Sequence, residues 1–243
     1  MNRLSELTGY AEAQSYFSKE ALWDLFDGDR EKLNISHECV DRHEPDRVAA
    51  RIAHANGGIE SFTFGELSAG SNQFANWLRA QGVQKGDRVA IMLDPSISFY
   101  LALFGAMKMG AVAVPLFTLF GPDGLHLRIK DCTPKILLTT PDLVRNVNPA
   151  SKVIVHLADQ AFLKQIAAQS NEFTPDTSAD DMAMYQYTSG TTREMPEAVK
   201  HRHRAIVTVM IAALYATGVR PGDRYMCPSS PAWGHGLWHG TLA

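Results

Sequence analysis

From residue 46 onward, short apolar runs alternate with longer stretches whose apolar residues recur every three or four positions. Runs of the first kind predict strands and stretches of the second kind predict helices. Val48–Ala53 and Ile59–Thr63 read as a hairpin around Asn56-Gly57-Gly58. Thr63 and Glu66 have the spacing of a capping box, and the helix they open has Phe64, Leu67, Phe74 and Leu78 on its apolar face and closes at Gly82. A strand Arg88–Leu93, a helix Ser96–Met109 that is apolar nearly all round, and a strand Ala111–Leu116 follow, with Gly110 ending the helix. The alternation continues with helix Pro122–Cys132, strands Lys135–Thr139 and Lys152–His156, and helix Asp159–Ala168. Beyond a polar stretch, Ser170–Asp181, come strand Met182–Tyr187, a helix from His203 to Thr217 and a strand Arg224–Cys227. The first 45 residues are irregular and charge-rich, with one amphipathic piece at Ala21–Phe26.

Continuously apolar strands separated by helices predict an α/β fold, with a mostly parallel sheet covered by helices on both faces. The polar stretch interrupted by Pro175 marks a boundary. The expected division is an irregular segment 1–35, a first α/β subdomain 36–170, and a part 171–243 that begins a further subdomain.

Composition narrows the function without naming it. The chain has 243 residues, is 45% apolar and 20% charged, and carries a net charge of −3. That balance excludes disorder and gives no electrostatic pull towards nucleic acid. The nearest candidate for a membrane span, Ala111–Phe120, is far too short. Met1–Phe17 lacks the basic-then-apolar layout of a signal peptide, so a cytoplasmic location is expected. Cys39, Cys132 and Cys227, odd in number and far apart, fit a reducing compartment. His37-Glu38-Cys39 with His43 has metal-ligand residue types. A structural zinc site needs four ligands and no second cluster completes it, so a half-buried helix start is the expectation and no metal site is assigned.

The chemistry concentrates after Tyr187. Thr188-Ser189-Gly190-Thr191-Thr192 places four hydroxyls and a glycine in five positions, which suits a polyphosphate because its charge must be met by many short donors. A basic run, Lys200-His201-Arg202-His203-Arg204, is expected at a helix start, where the macrodipole disfavours cations unless an anion is near. A polar turn followed by a solvated basic face explains the same residues equally well. The loop is not a Walker A motif, since Met195-Pro196 stands where Gly-Lys-Ser/Thr would be needed.

Tyr187–Thr192 resembles the first half of the phosphate-loop signature of the adenylate-forming superfamily, which includes acyl-CoA synthetases, luciferases and peptide-synthetase adenylation domains. The resemblance extends in order and spacing from about residue 36 to the end. It includes Phe62-Thr63-Phe64-Gly65-Glu66-Leu67, the turn Gly82 to Ala90, the block Ala106 to Leu116, Val219 to Arg224 and Trp233 to Trp238. Leu33–His43 and Trp233–Gly240 look most like acyl-CoA synthetases of the acetate, medium-chain or benzoate type. The resemblance implies that ATP and a carboxylic acid give an acyl-adenylate and pyrophosphate, after which coenzyme A displaces AMP. It also implies that Mg²⁺ neutralises charge in the reaction. By the same token Thr188, Ser189, Gly190, Thr191 and Thr192 would hold the β- and γ-phosphates, and Trp233, His235 and Trp238 would wall the acyl pocket, although a buried aromatic turn explains these last three equally well.

Two departures stand out. The family loop continues Gly-x-Pro-Lys-Gly, whereas here Arg193-Glu194-Met195-Pro196-Glu197-Ala198 runs one residue longer and puts Glu197 at the lysine position. Arg193 or Lys200 is the candidate replacement cation. The family's adenine- and ribose-binding segments and catalytic lysine lie beyond the counterpart of Ala243. The chain is therefore expected to be the N-terminal portion of a longer synthetase, inactive by itself. The alternatives are another adenylating enzyme such as a carrier-protein loader, or an inactive remnant or partner-binding module. Phe99, Leu103, Met107 and Met109 lie at helical spacing and are expected in the core, and Asp94 before Pro95 is expected to cap a strand end.

Overall fold

A computed structural model describes residues 3–54, 56–187 and 196–243. Three short helices, α1 (Arg3–Glu6), α2 (Tyr10–Tyr16) and α3 (Lys19–Trp23), and a π-helical turn, His37–Asp41, precede the regular part. Strands β1 (Val48–Ala53) and β2 (Ile59–Thr63) form the expected antiparallel hairpin. Helix α4 (Phe64–Ala80) starts at a complete capping box. Thr63 Oγ1 accepts from the Glu66 amide at 3.1 Å, and Glu66 Oε2 accepts from the Thr63 amide at 2.8 Å.

Strand β3 (Arg88–Ile91), helix α5 (Ile97–Met109), strand β4 (Val112–Pro115), helix α6 (Pro122–Cys132), strand β5 (Ile136–Thr139), strand β6 (Ile154–Leu157) and helix α7 (Gln160–Ala167) follow in the predicted order. Gly110 closes α5 at φ 79°, a left-handed conformation that glycine adopts without strain. Then come β7 (Met182–Gln186), β8 (Val199–Arg202), α8 (Ala205–Ala212) and α9 (Gly234–Leu237). A π-helical turn extends α8 through Thr217, and another, Trp238–Leu242, extends α9.

Six strands form one sheet in the order β6-β5-β3-β4-β7-β8, parallel throughout except for β8, which runs antiparallel to β7. Burial on both faces explains why the strands read as unbroken apolar runs. Along β3 and just beyond it, Val89 and Ile91 join the core under α4, α5, α7 and α8, while Ala90 and Met92 join a second cluster under α6. Phe99, Leu103 and Met107 are buried in the first of these cores, as their spacing predicts.

Strands on either side of residues 170–181 belong to this one sheet. The intervening segment is bound to α4 by side-chain amides. Asn72 Nδ2 donates to Asn171 O at 2.9 Å, and Asn76 Nδ2 donates to Ser170 O at 2.8 Å and Glu172 O at 2.9 Å. Thr177 Oγ1 then donates to Leu33 O at 2.7 Å. A chain without secondary structure thus has its carbonyls met by donors from a packed helix.

Two expectations are corrected. Lys200, His201 and Arg202 do not open a helix: they lie in β8, with Tyr185 opposite Lys200 and Gln186 opposite Val199. The ladder with β7 supplies the backbone partners a helix start would leave open, so the helix begins at Ala205 and the macrodipole gives no reason for an anion beside Lys200. Residues 224–227 form no strand, because no described neighbour offers a ladder there. Met226 is 78% exposed.

Candidate active site

Parallel sheets bind ligands at the carboxyl ends of their strands. Here that end gathers the residues after β3, β4 and β7, together with the 229–238 segment. After β3 and β4, Thr118 Oγ1 donates to Asp94 Oδ1 at 2.8 Å, so Asp94 links two strand-end loops. Phe117 lies with its ring 5.8 Å from that of Trp233 in an edge contact, which brings α9 against the end of β4.

After β7 the chain enters the candidate phosphate loop. Thr188, Ser189, Gly190, Thr191, Thr192 and Arg193 lie outside the described residues. Both flanks of the loop are described, and both reach α6. Tyr187 Oη donates to Asp131 Oδ2 at 2.6 Å and to Arg128 O at 3.1 Å. The Ala198 amide donates to the same Asp131 oxygen at 3.2 Å. The Arg128 guanidinium stacks 3.7 Å from the Phe120 ring centre and 5.4 Å from that of Tyr187. Burial, and then the hydrogen bond to Asp131, push the Tyr187 phenol far above its ordinary range, so it stays a neutral donor. Burial likewise raises the neighbouring Cys132 thiol to about 11, which leaves it unreactive at neutral pH.

Lys200 is exposed on β8, with its ammonium 5.3 Å from the Tyr185 ring centre. Trp233 and His235 stand at the surface of the carboxyl-end cluster. Tyr225 Oη and His235 Nε2 are 3.2 Å apart, and the His235 ring stacks on His239 at 5.2 Å. Trp238 is buried instead. Its indole Nε1 donates to Gln186 Oε1 at 3.2 Å, and its ring meets His201 edge-on at 4.9 Å. Trp233 and His235 are thus brought to the end of the sheet that carries Tyr187, while Trp238 packs beneath them.

The His37-Glu38-Cys39 cluster has structural partners. Buried Glu38 accepts from the Gly28 amide at 2.8 Å, the Asp27 amide at 3.1 Å and Arg42 Nη1 at 2.5 Å. The Cys39 thiol donates to Leu242 O at 2.9 Å, and burial drives its ionisation well above the usual thiol range. Among the described residues no three His, Cys, Asp or Glu side chains come together to hold a metal ion.

Asp131 is the residue that sequence reasoning passed over. The available signal was the same one misapplied to the basic run: an acidic group in the last turn of a helix opposes the macrodipole and calls for a partner elsewhere.

A family model described as AMP-binding enzyme matches residues 37–243. The acetyl-coenzyme A synthetase of Bacillus subtilis (strain 168) is 31% identical over 98% of this chain and 44% of its own length. A 3-hydroxybenzoate–CoA ligase of Aromatoleum sp. (strain CIB) is 31% identical over 76% of this chain and 38% of its own. Among solved structures, the Brucella canis acyl-CoA synthetase superposes with a TM-score of 0.86 at 26% identity, over 97% of this chain and 46% of that one. The chain therefore spans less than half the length of these relatives. Among the described residues no helix is long and apolar enough to cross a membrane.

Proposed function

The chain belongs to the AMP-binding enzyme family, and from that premise we propose that it forms the N-terminal part of an ATP-dependent carboxylate–CoA ligase of the cytoplasm. The substrates are ATP, a small carboxylic acid and coenzyme A. A carboxylate oxygen attacks the α-phosphorus of ATP while the bond to the bridging oxygen breaks, so that an acyl-adenylate forms and pyrophosphate leaves. The sulfur of coenzyme A then attacks the acyl carbon and releases AMP, its thiol proton passing to solvent. Both partners of the first step are anions, so the protein's contribution is to position them and to meet the spreading charge with fixed donors.

The observation that supports this reading is the position of the residues that flank the Thr/Ser/Gly segment. In the sequence that segment follows β7 directly, and the described residues on either side of it, Tyr187 and Ala198, are both tied to α6 through one carboxylate. Thr188, Ser189, Gly190, Thr191 and Thr192 are the proposed donors to the β- and γ-phosphates, with Arg193 or Lys200 as the accompanying cation. Mg²⁺ is proposed to arrive with ATP and to neutralise part of the polyphosphate charge. Trp233 and His235 are the proposed wall of the acyl site. The relatives named above act on acids as different as acetate and 3-hydroxybenzoate, so the acid is assigned only as a class.

Equilibrium titration of the full chain with Mg·ATP tests the reading. Saturable binding is expected, weakened by about tenfold in Thr188→Ala and in Thr192→Ala, as for the loss of one charge-assisted hydrogen bond. Affinity unchanged in both variants overturns the assignment of the loop.

A further inference from the structure

The ladder between β7 and β8 ends with Gln186 opposite Val199. One residue further towards the loop, Tyr187 and Ala198 are held by a third element. The phenol of one and the backbone amide of the other converge on Asp131 Oδ2, at 2.6 and 3.2 Å. Asp131 comes from α6, 56 residues before Tyr187. Tyr187 has a second anchor on the same helix, Arg128 O at 3.1 Å, and Tyr187 and Ala198 are both buried in the cluster under α6. The two ends of the intervening segment are therefore fixed to each other and to the face of the sheet that α6 covers.

We propose that Asp131 is a positioning residue for the nucleotide loop, a carboxylate clamp that sets the spacing and direction of the loop's two ends before ATP arrives. The role of residues 188–193 rests on the function proposed above; the clamp rests on the geometry of the flanks. Fixing the two flanks lowers the conformational entropy that any ligand bound between them would have to overcome. Asp131 acts only through Tyr187 and Ala198. Its carboxylate is suited to the task because one oxygen can accept two donors from different directions.

Four variants of the full chain test this. Asp131→Ala removes both bonds, Asp131→Asn keeps an acceptor oxygen, and Tyr187→Phe removes one arm. Asp87→Ala is the control: it removes a comparable pair of bonds, to the Gln84 amide at 2.9 Å and Lys135 Nζ at 3.2 Å, at the opposite end of the sheet. Two quantities are read, amide hydrogen exchange over residues 188–197 without nucleotide and the dissociation constant for Mg·ATP. Asp131→Ala is expected to speed exchange and weaken ATP by about tenfold each, with Tyr187→Phe intermediate and Asp131→Asn within about threefold of wild type. Asp87→Ala is expected to lower the melting temperature and change neither. Exchange and affinity in Asp131→Ala no different from those of Asp87→Ala overturn the clamp. Should Asp131→Ala fail to fold, wild-type exchange in Tyr187→Phe overturns it equally. Should the wild type bind no ATP, the exchange comparison alone upholds or overturns the clamp.

Discussion

Lys108 is the clearest case of a residue whose role only its surroundings define. In the sequence it is the polar member of an apolar helix; in the structure it is fully buried. Its three donors go to Asp41 Oδ1 at 2.6 Å, Asn72 Oδ1 at 2.7 Å and Ser68 O at 3.2 Å, which joins α5 to α4 and to the π-helical turn 37–41. Burial lowers its pKa, and the ion pair with Asp41 opposes that shift. Lys108→Met leaves the Asn72 amide oxygen without this donor and Asp41 without its counter-charge, with only the Ser68 hydroxyl still donating to Oδ1 at 2.6 Å, and is expected to cost about 3–5 kcal/mol in urea unfolding. Adding Asp41→Asn should recover part of that loss, because what costs most is the charge left behind. His203 is likewise buried. Its Nδ1 accepts from the Ile35 amide at 3.0 Å, and desolvation lowers its pKa to about 4, so the ring is neutral. Of the residues proposed to touch substrate, Trp233 and His235 were legible because glycine–aromatic segments stand out in a sequence. Asp131, which is proposed to act only through Tyr187 and Ala198, offered a weaker signal, its place in the last turn of α6 against the macrodipole, and the fold was needed to show its partners.

At the scale of elements, α4 and α5 cross closely because glycines permit it. A Cβ on Gly105 would come within 2.8 Å of Phe74 Cβ, Phe74 Cδ1 and Ser71 O, and the last of these is backbone that cannot turn aside. Gly105→Ala is therefore expected to cost about 3 kcal/mol. Gly82→Ala, where φ is 74° and the space is open, should cost only about 1 kcal/mol, for backbone conformation alone. Thermal or urea melts of the two variants check the contrast; equal losses would mean that helix packing is not what selects glycine at position 105. From β1 to β7 the elements were legible, since capping residues, terminal glycines and apolar periods are local signals, whereas the first 45 residues, expected to be irregular, carry α1, α2 and α3. Two of the misread segments share one cause. Whether Lys200–Arg202 or residues 224–227 becomes a strand depends on a neighbour to pair with, and pairing is not written in the segment itself.

For the whole molecule, buried histidines make stability depend on pH in one direction. His43, His156, His201 and His239 have pKa values lowered chiefly by burial, and His203 is the extreme case at about 4. Each binds its proton more readily when unfolded, so this part of the stability is complete above pH 6.5 and is lost as the pH falls towards 4. From His203 alone the loss is about 3 kcal/mol. Urea midpoints measured from pH 7.5 to 4.5 should fall, and His203→Asn should flatten the curve over that window; an unchanged slope would show that the ring is not buried neutral. The sequence by itself determined the class of fold, the order of the strands and helices from β1 to β7, and the family. These rest on local periodicity, turn residues and motif order, all of which are properties of neighbours along the chain. Only the tertiary structure decided that the basic run closes a hairpin, that Lys108 is an internal cross-link, and that Asp131 meets both flanks of the loop. Those facts depend on which distant residues share a face of the sheet, and burial and hydrogen bonding across such distances are settled when the layers pack.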